Sequence, residues 1–592
     1  MLKRLVAILS LCILLSGCMT TDITRLHQDT TTASALKQTF YQVNIRSFDG
    51  TNLRATVYQP ALAADEVAPL ILHEHGFGVW RMNDPTFSIY GSLMVPGKAA
   101  KKAWKNGYWV ISVDQRGFGG SNGNVHFLDP EIEIRDASAV IDWAITHLPK
   151  LKFDDTARKD PTIGMVGESY GGATQLLASV KDPRINAIVP MTTWYDLSES
   201  IAPNGQLKSF WTSVLVGIGT LSSFFDMGIL TEQPARDSIA GKLSPEAQEL
   251  LYQHSMAYFC DRGQYPHADT LLLQGFRDTI FPINEGWKNK ECIERSGHDV
   301  RLISIQGGHI LPTQKLTGLP FYNVENTFHC EGKSFNTIDT INNWFDAKLK
   351  GRTEAIAAIP SLCITQDYHS GIVTQTLQRG GEPFYIADTK VYPGLSGIVE
   401  WLFTPINWVQ KSIARIHQKS ETSLAQADEQ GGLVRPGFLP LKIIHEDGLL
   451  TGIPTADFTI TAPNKDPVIF VGIAIRHKNK PFELISEQVT PITKTGAHHI
   501  ELVGISTRVK AGDVIGLVLY GANSQYSLNR TFIPEPAVVT GSLKLPLFRK
   551  ENGNYVAYTP NSFTPDGQAV AQQITVRRDT LAARDASLSI QE

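Results

Sequence analysis

From about residue 39 to residue 351 the chain alternates short apolar runs with stretches in which apolar residues recur at helical spacing. The runs are PLILHEHG, YWVISVDQRG, TIGMVGES, INAIVPMTTW, TLLLQGFRD and RLISIQGGH, and the helical stretches include TFSIYGSLMVPGKAAKKAWKNG and DASAVIDWAITHL. A strand that is apolar almost throughout is covered on both faces, so this pattern predicts a parallel sheet with helices packed on each side. The domain is of the α/β class. The stretch NTIDTINNWFDAKLKG, residues 336–351, closes it as a last helix. From about Ile359 onward the period changes: FTITAP, PVIFVGIAI, HIELVGIST and DVIGLVLYG follow one another with turn residues and no helices between them. Such spacing predicts a β-sandwich over residues 358–560.

Three segments interrupt this plan. Residues 1–18 read MLKRLVAILSLCILLSGC, with two early cations, an apolar run from Leu5 to Leu15 and small residues before Cys18. The run is short for a bilayer span and has the organisation of an export signal. Its end, Leu15-Ser16-Gly17-Cys18, resembles the lipobox of bacterial lipoproteins, which implies cleavage before Cys18, acylation of its sulfur and a tether to the cell envelope. Met19 in place of Asp makes the outer membrane the expected address. A polar linker over residues 19–38 follows. The second interruption, about residues 197–265, contains SFWTSVLVGIGTLSSFFDMGIL, whose Gly, Ser and Thr residues and terminal Asp226 argue against a membrane span. The third, about residues 391–435, carries Trp401, Leu402, Phe403 and Trp408, a set that either packs on a neighbouring domain or rests on a membrane beside the lipid. The tail after about Pro560 is polar.

Composition narrows the choice of partner. A chain of 592 residues is long enough for roughly two to four domains. The formal charge of −4 leaves no basic excess for a phosphate backbone, so nucleic acid is not an expected partner. Of the six cysteines, Cys12 leaves with the signal and Cys18 takes lipid. Cys260, Cys292, Cys330 and Cys363 remain, an even number in an exported chain. Four cysteines allow three connectivities, of which Cys260 with Cys292 and Cys330 with Cys363 is favoured, with buried free thiols as the alternative.

The candidate chemistry begins at GESYGG, Gly167 to Gly172. The G-x-S-x-G pattern means little alone, but here Ser169 follows a strand and precedes a helix. That reversal is what a nucleophile elbow requires. A serine hydroxyl needs a base and an acid to orient the base, and in this fold they follow in the order Ser, Asp, His. Asp278 lies just beyond the run TLLLQGFR and His309 just beyond RLISIQGG, both at the carboxyl ends of strands where open α/β sheets place their sites. Asp269 and His298 sit at the opposite ends. An oxyanion hole would take the backbone N–H of Tyr170 and one from the HEHGFG loop, Phe77 in preference to Gly78. His73-Glu74-His75 lacks the spacing of a metal site, and no cofactor is expected.

G-x-S-Y-x-G, together with Asp114-Gln115-Arg116-Gly117-Phe118-Gly119-Gly120-Ser121, the DASAVIDW stretch, and Gly275-Phe-Arg-Asp278 followed by Phe281-Pro282, resembles the family of X-prolyl dipeptidyl-peptidases, cocaine esterase and α-amino acid ester hydrolases. The resemblance covers residues 40–350 well, and KAGDVIGLVLYG is similar to a strand pair in the family's C-terminal jelly roll. It implies an α/β-hydrolase fold over residues 39–351 with a helical cap from the 197–265 insertion, followed by a jelly-roll sandwich. It also implies a serine hydrolase acting on ester, amide or short-peptide substrates. The family's esterases commonly place an oxyanion-donating tyrosine in a P-Y-x-K-like stretch, where this chain has His75-Gly76-Phe77-Gly78, so the hole is expected to be all backbone. The alternative is a non-catalytic envelope lipoprotein that binds through its sandwich.

Overall fold

The computed structural model describes residues 34–222, 237, 241–309, 324–391, 437–463, 466–478, 480, 482–521, 523–526, 536–551 and 554–557. The signal segment with Cys18, the linker up to residue 33, part of the 197–265 insertion, residues 392–436 with their tryptophans, and the tail lie outside the described residues.

The N-terminal part is organised around one ten-stranded sheet. Its strands in chain order are β1 (Thr39–Arg46), β2 (Asn52–Gln59), β3 (Leu70–Glu74), β4 (Trp109–Val113), β5 (Ile163–Glu168), β6 (Ile185–Met191), β7 (Asp269–Gly275), β8 (Val300–Ile305), β9 (Leu362–Asp367) and β10 (Ser370–Val373). In space the order is β1-β2-β4-β3-β5-β6-β7-β8-β9-β10. From β4 to β9 every pairing is parallel, and the antiparallel pairs β1–β2, β2–β4 and β9–β10 lie towards the edges.

The uninterrupted apolar runs are explained by two separate cores. Leu70 and Leu72 of β3 face one side, together with Ile134, Ile141, Leu176, Leu177 and Trp287 from the helices Glu133–His147, Tyr170–Lys181 and Ile283–Ile293. Ile71, between them, faces the other side with Ala99, Ala103, Trp344 and Phe345 from the helices Val95–Lys105 and Thr337–Lys350. Successive strand side chains point to opposite faces, so a strand buried twice must be apolar at every position. The alternating pattern of a one-sided sheet is therefore missing from β3, β4 and β5.

The insertion after β6 contributes the helices Leu197–Ile201, Ser209–Ser222, Pro245–Gln253 and Met256–Cys260. Asp196 caps the first, its carboxylate accepting from the amides of Ser198 and Glu199, and Ser244 caps the third ahead of Pro245. Among the described residues no helix is long and apolar enough to cross a membrane. Cys260 is bonded to Cys292, which ties the insertion to the helix Ile283–Ile293, and Cys330 is bonded to Cys363.

The expected boundary near residue 351, with a sandwich starting at 358, is displaced. Residues 362–373 extend the main sheet, β9 running parallel to β8 with Leu302 opposite Leu362. Their side chains hold the addition: the Ser304 hydroxyl accepts from the Thr365 amide at 2.7 Å, and Gln306 donates to the Thr365 carbonyl at 3.0 Å. A short strand after a helix carries no sign of the sheet it will join, so sequence pattern places the break too early. Among the described residues the remaining strands of the C-terminal half pair antiparallel, in sheets of four, five and four strands, and their main core includes Phe384, Phe458, Ile473, Leu517 and Leu543.

A chain of residues 19–351 loses β9, β10 and the Cys363 partner of Cys330. It is expected to be insoluble or to melt about 10 °C or more below residues 19–592 in calorimetry. Equal melting temperatures would show that the sheet does not need its last two strands.

Candidate active site

Ser169 stands at the turn from β5 into a helix. It links β5 directly to the helix Tyr170–Lys181 with φ 54° and ψ −118°, a conformation that non-glycine residues rarely adopt. The turn is held by backbone: the Ser169 amide donates to the Met191 carbonyl at 2.9 Å, and the Ser169 carbonyl accepts from the Gly172 and Ala173 amides, each at 3.0 Å. Glycine is required on both sides of the serine. A Cβ on Gly167 would lie 2.5 Å from the Glu74 carbonyl oxygen, and one on Gly171 would lie 2.4 Å from the same atom. The G-x-S-x-G spacing is thus the footprint of the end of β3 passing over the elbow.

Asp278 and His309 come together from the ends of β7 and β8. Asp278 is wholly buried, and its Oδ1 accepts from the amides of Ile280 at 3.0 Å and Phe281 at 2.8 Å. Its Oδ2 is 2.7 Å from His309 Nδ1. Gly308, at φ 123°, passes so close that a Cβ there would lie 2.6 Å from Asp278 Cβ. Gly308 therefore provides clearance for the aspartate. The imidazole is wedged edge-on against Phe281 and Trp211, with centroids 5.2 and 6.1 Å away. Its own carbonyl accepts from the Thr279 amide at 3.0 Å.

Ser169 and His309 open into one cavity of about 300 Å³. Its walls include Phe77, Phe127, Tyr170, Trp194 and Phe281, closed by Leu215, Val216, Leu243 and Leu250 from the insertion. The insertion does lie over the site. Phe77 and Tyr170 are in mutual contact, with ring centroids 5.5 Å apart.

The residues set aside on sequence are elsewhere engaged. Asp269 and His298 face each other at 3.4 Å at the far end of β7, with Lys348 on the same aspartate. His73 Nδ1 meets the Ser112 hydroxyl at 2.8 Å, and burial lowers its pKa to about 3. His75 Nε2 accepts from the Gln115 amide at 3.0 Å. Both histidines therefore have structural hydrogen-bonding roles in the core.

Sequence reasoning missed the groups that surround this centre. Glu133 accepts from the Tyr170 hydroxyl at 2.8 Å and from the amides of His126, Leu128 and Asp129, and burial pushes its pKa up to about 7. In this way it fixes a turn in which Phe127 and Leu128 both have positive φ, and Phe127 forms part of the cavity wall. Lys208, within the insertion and just before the helix Ser209–Ser222, is buried and donates to the Ile280 carbonyl at 3.0 Å, with its pKa lowered to about 8 by burial. Glu168, next to the serine, is buried, and its carboxyl is pushed well above the usual range. No spacing rule marks these residues, because each meets the site from a different element.

Residues 49–311 match the model of the X-Pro dipeptidyl-peptidase family, S15. Over this stretch the chain is similar to that family. A Mycobacterium bovis protein whose name assigns it as a serine esterase is 28% identical over 171 residues, which is 28% of this chain and 26% of that protein. The chain thus spans about a quarter of the length of that curated relative. Two solved structures share the fold over nearly their whole length. A CocE/NonD family hydrolase from Staphylococcus aureus has a TM-score of 0.54 at 13% identity, covering 88% of this chain and 99% of its own. An aminopeptidase from a marine sediment archaeon, Thaumarchaeota archaeon, has 0.58 at 12% identity, covering 89% and 99%. At such identities the likeness is one of architecture, which this chain shares with both: an α/β-hydrolase sheet followed by a β-rich half.

Glu74, the residue whose carbonyl crosses the elbow, is itself buried, and its carboxyl is raised to about 8 by burial and by the nearby Asp136. An acid whose pKa is higher when folded holds its proton more tightly in the folded state. The stability it contributes is complete below the unfolded value of about 4.5 and is lost as pH rises through about 8. Glu74→Gln removes this titration. Its melting temperature is expected to fall less than that of the unaltered protein between pH 5 and pH 9, and a parallel decline in both would show that Glu74 is ionised throughout.

Proposed function

We propose that the protein is a serine hydrolase that forms an acyl-enzyme from esters with an apolar acyl group. One observation carries the reading: the strained Ser169 and the Asp278-backed His309 open into the same cavity, whose walls are aromatic and aliphatic. His309, with Nδ1 turned to Asp278, takes the Ser169 proton at Nε2 as Oγ attacks the carbonyl carbon. Asp278 holds the ring and stabilises its charged form. The tetrahedral oxyanion takes hydrogen bonds from the backbone N–H groups of Tyr170 and Phe77. His309 then returns the proton to the departing alkoxide; in the second half a water molecule attacks the acyl carbon as His309 takes its proton, and that proton passes to Ser169 Oγ as the acyl bond breaks and the acid leaves.

A second reading, removal of X-Pro dipeptides, draws support from the family match and from two carboxylates in the cavity lining, Asp237 and Glu246. A peptide's free ammonium requires such a partner. Against it stands the Asp237 carboxylate's engagement with the amide and hydroxyl of Ser244, at 3.0 and 3.3 Å. The apolar walls favour the ester.

The protein is further proposed to be exported and tethered through lipid at Cys18, with the outer membrane as its address. The signal-like segment supports this, and so do the disulfides Cys260–Cys292 and Cys330–Cys363, which suit an oxidising compartment.

Ser169→Ala is expected to abolish both ester hydrolysis and fluorophosphonate labelling while leaving the melting temperature within about 2 °C. Full labelling of the variant would assign the nucleophile elsewhere. On p-nitrophenyl butyrate and hexanoate against Ala-Pro and Gly-Pro p-nitroanilides, kcat/KM should favour the esters by at least about 100-fold; the reverse order selects the dipeptidyl-peptidase.

Cys18→Ala is expected to move the protein from the membrane to the soluble envelope fraction and to end incorporation of labelled palmitate. Unchanged fractionation and labelling would rule out the tether.

A further inference from the structure

The turn at residues 485–488 in the C-terminal half is built against the loop that carries Asp278. Gln488 is 4% exposed, and its Nε2 donates to two carbonyl oxygens of that loop, Phe276 at 2.7 Å and Asp278 at 2.8 Å. Buried carbonyls that have left the sheet need donors, and here one side chain from more than 200 residues away serves two of them. Between them Arg277 turns outward, pairs with Glu487 and donates to the Tyr368 hydroxyl at 3.2 Å.

The turn is itself under strain. Ser486 and Glu487 have φ of 55° and 60°, which non-glycine residues hold only where their surroundings impose it. The Ser486 hydroxyl accepts from the Ser506 amide at 3.2 Å, and Gln525 donates to the Glu487 carbonyl at 3.3 Å. A second joint lies on the next helix, where Asn284 donates to the Leu502 carbonyl at 3.1 Å and accepts from the Gly504 amide at 2.7 Å.

We propose that Gln488 is a positioning residue of the hydrolase site: by fixing the carbonyls of Phe276 and Asp278 it sets the Asp278 carboxylate against His309 and makes the C-terminal half part of the catalytic apparatus. The proposal rests on the serine-hydrolase reading. On its inner side the loop is held by the bonds from the Ile280 and Phe281 amides to Asp278 and by the Thr279 contacts with His309. On its outer side Gln488 completes the fixation. Ile280 and Phe281 line the cavity, whereas Phe276, Asp278 and Gln488 do not. Loss of the brace therefore acts on proton transfer and leaves substrate binding in place.

The test compares Gln488→Leu, Glu487→Gln and Phe384→Leu in the otherwise complete protein, with p-nitrophenyl butyrate as substrate. Phe384 is buried on the strand Glu382–Val391 of the C-terminal half, which carries none of the bracing residues, so its variant is a control for stability. Gln488→Leu should lower kcat and the rate of fluorophosphonate labelling about tenfold with KM within twofold, as expected when transition-state alignment is lost. Glu487→Gln, which keeps the shape of the outer pair, should lower kcat two- to threefold, and it carries the test if the leucine variant does not fold. Phe384→Leu should reduce the melting temperature at unchanged kcat. Unaltered kcat in the folded Gln488 and Glu487 variants, or an equal kcat loss in the Phe384 control, overturns the assignment. Failure of the hydrolase reading is distinct: the unaltered protein would then neither turn over the ester nor label.

Discussion

The close passage of the Glu74 carbonyl over the elbow organises the site. β3 and β5 run parallel with Glu74 opposite Gly167, and the same carbonyl would collide with a side chain at Gly167 or Gly171. Only with both glycines can the helix Tyr170–Lys181 start directly after Ser169 and lie against the end of β3. The chain leaving β3 is then delivered beside that helix, and Phe77 packs on Tyr170. The two residues proposed to donate to an oxyanion are therefore neighbours because of one backbone contact three residues upstream of Phe77. A register slip between β3 and β5 would separate them while leaving the sheet intact.

The same geometry explains which parts of the molecule were legible in the sequence. The runs at β3, β4, β5, β6, β7 and β8 stand out because burial on both faces removes every polar alternative. Ser169, Asp278 and His309 could be singled out because each follows such a run at a sheet edge. The antiparallel β1 and β2 were less visible: the burial of β1 alternates, exposed at Thr39 and buried at Ile45, as expected for a strand near an edge. β9 and β10 were assigned to the wrong half of the chain, since their partner β8 lies beyond an intervening helix. Trp211, Lys208 and Gln488 carry no local signal at all. Each acts across a sequence distance that periodicity does not span, from 68 residues for Trp211 and Thr279 to 212 for Gln488 and Phe276.

The insertion and the C-terminal half constrain the centre from opposite sides. The insertion supplies Leu215, Val216, Leu243 and Leu250 to the cavity, and its disulfide to Cys292 anchors it to the helix that follows the Asp278 loop. From the other side, Gln488, Glu487 and the Leu502–Gly504 stretch grip the same loop and the same helix. The segment from Phe276 to Ile293 is thus where both additions converge. An α/β sheet alone can place an aspartate at a strand end, but the loop beyond it has few ladder bonds of its own. These additions provide the missing constraints.

Local rules of protein structure are broken most densely around this cavity. Ser169, Phe127 and Leu128 all have positive φ, and Glu168 is a carboxyl buried beside Ser169 with one oxygen lacking a hydrogen-bond partner. Each strained backbone position costs on the order of 1–3 kcal/mol, and such positions persist only where the surroundings over-determine them. Here the surroundings do so. Ser169 is fixed by four backbone groups or side chains, counting the Thr193 hydroxyl that reaches its carbonyl at 2.9 Å, and the Phe127–Leu128 turn is fixed by Glu133. A fold selected only for stability would relieve this strain by substituting glycine or moving the turn. That it is instead held in place by so many independent contacts is the physical argument for chemistry at Ser169, and it stands without reference to any relative.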